Sequence, residues 1–184
     1  MTVVEQHPRV TQQAATPEAG GRAWREAVLW VGGGLAGGLL WGVAVRLWMR
    51  YVADQPSFSW SGTLFVLGVT SLAGLALGAV ELLRRRGRGP WRLVLVVPAL
   101  VVFAGQGLPF LPAAVFGGLA LSGRGRWWVR GPAAALAASS LSLFLLFDEP
   151  FANSAVVTVA WYAVLCLGLA VGWVPVWRRR APRP

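Results

Sequence analysis

The chain has 184 residues, of which 56% are hydrophobic and only 13% charged, roughly half the charged share of an ordinary soluble domain. All 17 basic residues are arginine, and the net charge of +10 would suit nucleic acid if the arginines did not gather at the ends of apolar runs, where the positive-inside rule and anionic headgroups account for them. Composition therefore excludes a large soluble core and a nucleic-acid partner, and a lone cysteine (Cys166) with a lone histidine (His7) excludes an intramolecular disulfide and a cysteine–histidine zinc site.

Residues 1–23 are polar and without periodicity, and read as a disordered cytoplasmic tail. The first membrane span begins near Trp24 and carries no charge from Ala27 to Val45. It shows no secretory cleavage pattern and is long enough to cross. Within "GGGLAGGLLWG", Gly34, Gly38 and Gly42 share one helix face, a spacing that lets another helix approach closely. The second span runs from about Ser61 to Leu83, with Thr70, Gly74 and Gly78 in the same register. A short loop joins the two, so they are expected as antiparallel neighbours. The stripes also suit a membrane-protein partner or a second copy of the chain. Glu81 lies three and four residues before Arg84 and Arg85, ion-pair spacing on a helix.

Between these spans lies "RLWMRYVADQPSFSWSGT", residues 46–63. Arg46 and Arg50 stand one helical turn apart, and Asp54 is placed to pair with Arg50 if the helix continues. Pro56 ends any such helix, and Ser59 or Ser61 is expected to cap the next. A helix N-terminus, two arginines, the hydroxyls of Ser57, Ser59 and Ser61, and Trp60 together make a candidate site for an anion or a partner's acidic side chain. Snorkelling to headgroups explains the same arginines without a site.

Residues 93–122 are long for one span and short for two, and "GQGLPFLP" breaks them in the middle. The loops before and after hold five and three arginines. Both belong on the cytoplasmic side, which requires a hairpin. Each half, at about 14 residues, would reach roughly 21 Å against a ~30 Å apolar core, so the pair is expected to be short or re-entrant. Gly105, Gln106, Gly107 and Pro109 resemble the broken helices that line transporter sites. A turn near the outer interface is the plainer reading, because the break should fall at the outer end.

A span over 132–147 leads to Asp148–Glu149, and the last span, Asn153–Trp177, stops at three arginines, 178–180. The fold expected is all-α: a polytopic transmembrane bundle of about six segments with a short, broken central hairpin. Residues 24–180 form one domain, and 181–184 a tail. Both termini face the cytoplasm, in a bacterial cytoplasmic membrane, and of the arginines only Arg46 and Arg50 face outward. Trp24, Trp48, Trp60, Trp91, Trp127, Trp128 and Trp177 mark the interfaces.

The pattern Arg-x-x-Met-Arg, a spacer, then Pro-x-Phe-Ser-Trp-x-Gly-Thr over residues 46–63, with the later "GQGLPFLPAAVFGGLAL", resembles a family of uncharacterised actinobacterial integral membrane proteins. The resemblance covers about residues 30–122 and implies a membrane protein without implying an activity. No nucleophile, base or metal-ligand cluster stands out, and no cofactor is expected. A non-enzymatic membrane scaffold or accessory subunit fits these residues best. A small transporter or channel for an anionic or small solute is the alternative, and a lipid-acting enzyme ranks last.

Overall fold

The computed structural model describes residues 17–53, 58–87, 94–101, 107–147 and 154–178, and every regular element among them is helical. Helix α1 (Pro17–Ala27) continues through a π-helical turn (Val28–Gly32) into α2 (Gly33–Val52). There follow α3 (Trp60–Arg85), α4 (Val96–Val101), a 3-10 turn (Leu108–Phe110), a second π-helical turn (Ala113–Gly117) and α5 (Gly118–Leu121). The chain ends with α6 (Trp127–Phe147) and α7 (Ala155–Trp177).

Three continuous helices among the described residues are long and apolar enough to cross a membrane: Gly20–Val52, Trp60–Arg85 and Ala155–Trp177. The shortest, at 23 residues, reaches about 34 Å, enough for a ~30 Å core. Leu108–Leu121 is a shorter apolar helix. Two boundaries differ from expectation. Helix begins at Pro17, inside the stretch 1–23 read as a tail, with a proline in the first turn where its missing N–H costs nothing. Likewise α6 begins at Trp127, before Pro132, so the ring falls close to the helix start and interrupts one backbone bond.

The glycine stripes pack α2 against α3, as their spacing predicts. A Cβ added to Gly38 would strike the Thr70 carbonyl oxygen, one on Gly74 that of Gly34, and one on Gly78 that of Trp30. Backbone meets backbone along this seam, and the pairings run antiparallel. Next, α7 lies antiparallel to α2: the Trp41 indole donates to the Leu165 carbonyl at 3.1 Å and the Trp48 indole to that of Thr158 at 3.3 Å. The Leu108–Leu121 helix runs parallel to α7, with Gly117 against Ala170 and Gly118 against Trp173. It runs antiparallel to α6, where the Ala113 N–H donates to the Ser140 hydroxyl at 2.8 Å.

These pairings sort the charges. Arg84–Arg86, the turn at 122–126 and Trp177–Arg178 share one end, where Arg124 donates to the Trp177 carbonyl at 3.3 Å and Arg86 to that of Ala23 at 3.0 Å. Arg46, Arg50 and Ser59 lie at the other end. Gly87 and Ser122 therefore lie at the same, arginine-rich end.

The core gathers Trp48, Phe110, Phe144 and Tyr162. Tyr162 stacks on Phe144 at 4.4 Å and on Phe110 at 4.8 Å, and Trp48 closes on all three within 6.0 Å. Trp48 is thus a core residue, 7% exposed, and not the interface marker expected of it. Its indole finds an acceptor inside the bundle, so it has no need of the headgroup layer. Trp24, Trp60, Trp127 and Trp128 are exposed, as interface tryptophans are. Trp91 is outside the described residues.

Candidate functional site

At the loop end, α2 stops at Val52 and α3 starts at Trp60. Ser59 is the N-cap: its backbone is extended and its hydroxyl accepts from the Gly62 N–H at 3.3 Å. Ser61 stands 2.8 Å from that same hydroxyl. Arg46, half-buried, reaches across from α2 and donates through Nε to the Thr63 hydroxyl at 3.1 Å, which itself donates to the Ser59 carbonyl at 2.9 Å. Arg50, one turn on, diverges. Its guanidinium lies 5.4 Å from the Phe58 ring centre, and Phe58 meets Trp60 edge-on at 4.8 Å. The structure therefore splits the expected pair: Arg46 braces the start of α3, and Arg50 rests on an exposed aromatic pair. Asp54 and Ser57 lie outside the described residues. Thr63 was missed as a member of this group. Its position three residues after Trp60 was the available signal, since a hydroxyl in a first helical turn can take a bond from a neighbouring side chain.

At the helix break, Gly105 and Gln106 lie outside the described residues, while Gly107 and Pro109 are placed. The Pro109 carbonyl is 2.9 Å from the Tyr162 hydroxyl, which is also 3.0 Å from the Ser140 carbonyl. The single phenolic proton serves one of them at a time. Tyr162 is the eighth residue of α7, so the turn lies about 10 Å along the axis from the start of that helix. Residues 107–110 are held there by the buried Tyr162. Around them the space is filled by Trp41, Trp48, Phe110 and Phe144. The deep hydroxyls are satisfied locally. Thr70 bonds the Val66 carbonyl at 2.8 Å, and Thr158 that of Ser154 at 3.1 Å. Ser140 takes the N–H just after Pro112, a donor that the start of a helix leaves unpaired.

At the arginine-rich end, Glu81 is 4% exposed and binds both predicted partners. Arg84 grips it with two bonds of 2.7 and 2.6 Å, and Arg85 adds a third at 2.7 Å. Arg85 also lies over the Trp30 ring, 4.1 Å from its centre. Behind Glu81 opens a cleft of about 400 Å³ between α2 and α7, floored by α3. Among the described residues no group of three His, Cys, Asp or Glu side chains could hold a metal ion.

No protein-family model, no curated protein and no solved structure matches the chain.

Proposed function

We propose that this is a multi-pass protein of a bacterial cytoplasmic membrane, with about six membrane segments and both termini cytoplasmic, that acts as a non-enzymatic scaffold or accessory subunit. The observation that carries this reading is the filled interior at the helix break. Trp48, Phe110, Phe144 and Tyr162 occupy the space a solute would need, and the polar groups beside them are bonded to one another. A bundle closed at that level works through its surfaces. The surface it offers on the outer side is the loop end, where Arg46 and Arg50 flank a capped helix N-terminus and suit an acidic segment of a membrane-protein partner. The resemblance of residues 46–63 to an actinobacterial membrane family supports the location.

The test is purification from the native membrane in polymer discs, wild type beside the double variant Arg46→Gln/Arg50→Gln, with mass spectrometry of what is retained. The expected result is a stoichiometric protein partner that the variant loses. A wild type that retains no protein and passes small anions across proteoliposome membranes would overturn the reading. It would favour the second one, a small transporter, whose support is the depth of the Pro109 turn in the bundle.

A further inference from the structure

The cleft behind Glu81 is a wedge. At its narrow end the Trp41 indole is bonded to the Leu165 carbonyl, which ties α2 to α7. From there the two helices separate toward the arginine-rich end, while α3 stays packed against both and closes the floor with Leu77 and Gly78. Gly33 and Gly37 line the α2 wall, and a Cβ added to either would meet nothing within 4 Å. They differ in this from Gly34 and Gly38, which are pressed against α3. Their missing side chains hold the wedge open. The lining also includes Trp30, Leu169 and Trp173. A cavity of about 400 Å³ falls in the usual range for small-molecule sites, about 300–1,000 Å³.

Glu81 is the charged residue of the lining. Arg84, Arg85 and Arg86 follow it on α3, Arg85 lies over the Trp30 ring that lines the cleft, and Arg178 ends the facing helix. Among the described residues Arg85 gives Glu81 only its Nε, and its side chain is 41% exposed. An apolar slot that runs along the helices and ends at arginines matches one kind of molecule: an amphiphile with a hydrocarbon chain and an anionic head. We propose that the wedge between α2 and α7 holds one acyl chain of an anionic glycerophospholipid, whose phosphate lies against Arg85 and Arg86. The site rests on the membrane reading alone and is independent of whether the opposite end docks a protein.

The glycines supply the test. Gly37→Leu fills the wedge without touching the α2–α3 seam, so the fold survives. Gly68→Leu makes the same change on α3, where an added Cβ also meets nothing within 4 Å and which does not line the wedge. Wild type, both glycine variants and Arg85→Gln are reconstituted in discs of phosphatidylglycerol and phosphatidylethanolamine, released in mild detergent and weighed by native mass spectrometry. Wild type and Gly68→Leu should each keep one phosphatidylglycerol. Gly37→Leu should keep about tenfold less, the equivalent of roughly two buried methylenes. Arg85→Gln should lose the preference for the anionic head. The proposal is overturned if wild type keeps no lipid or keeps both lipids alike, or if Gly37→Leu retains as much as Gly68→Leu.

Discussion

The Tyr162 hydroxyl stands between two carbonyls from different segments, Pro109 and Ser140, while its ring is clasped by Phe110 and Phe144. Removing the hydroxyl leaves the rings stacked and both carbonyls without that donor. Tyr162→Phe should cost about 1–2 kcal/mol, and Ser140→Ala a similar amount by orphaning the Ala113 N–H. Equilibrium unfolding in mixed detergent micelles checks both, and an unchanged midpoint would show that the turn is held by packing alone. Glu81→Gln acts on charge. It leaves Arg84, 9% exposed, facing a neutral amide. The expected loss is about 2 kcal/mol, less than for a pair at the bilayer centre because Arg85 still reaches water. High salt should narrow the gap between wild type and variant only slightly, since a buried pair is poorly screened. The spacing of Glu81 and its arginines announced this ion pair in the sequence. The partners of Tyr162 and Ser140 were not legible in the sequence. Their acceptor and donor come from segments 22 to 53 residues away, and local pattern does not reach that far.

Helix α2 carries two glycine faces with opposite roles. Gly34 and Gly38 lie in the seam with α3, and Gly33 and Gly37 face the open wedge. Alanine substitution separates them. Gly38→Ala pushes a methyl into the Thr70 carbonyl and should destabilise by about 2 kcal/mol. Gly37→Ala meets open space and should be neutral or stabilising by up to about 1 kcal/mol, from the better helix former. Unfolding midpoints of the two variants, compared in one detergent, check the contrast, and equal shifts would contradict the packing described for the seam. The four-residue stripe made the first face readable, because small residues at that period have one common use in membrane helices. The second face was present in the same run, "GGGLAGGLLWG", but what it faces depends on the angle between α2 and α7. The π-helical turns at Val28–Gly32 and Ala113–Gly117 left no mark in residue type that could have been read beforehand.

For the whole molecule, charge gave the clearest forecast. Fifteen of the seventeen arginines were assigned to one side from the sequence. In the bundle, Arg84–Arg86, Arg124 and Arg178 gather at one end, with Arg46 and Arg50 at the other. Single cysteines at Arg86 and Arg126, in a Cys166→Ser background, should both be shielded from an impermeant thiol reagent in intact cells and react in inverted membrane vesicles, and a cysteine at Arg50 should do the reverse. Labelling of the first two from different sides would contradict the hairpin. The arginines made the two ends legible because they are strongly biased to one face of a membrane. The depth of the Pro109 turn was hidden, because it is set by a tyrosine on a later helix and not by the length of the apolar run.

That tyrosine also gives the bundle an order of assembly. Helices α2 and α3 are neighbours in the chain, and their seam is backbone on backbone, so the pair can close as soon as both have left the ribosome. The groups that secure the rest arrive with α7, the last of the described helices to be synthesised: the Tyr162 hydroxyl for the turn, and the carbonyls that Trp41 and Trp48 require. A nascent chain cut short before residue 154 would carry a finished hairpin beside indoles with no acceptor. Unpaired donors inside a bilayer are costly. Completion of α7 therefore marks the point at which both indoles and the turn gain their partners.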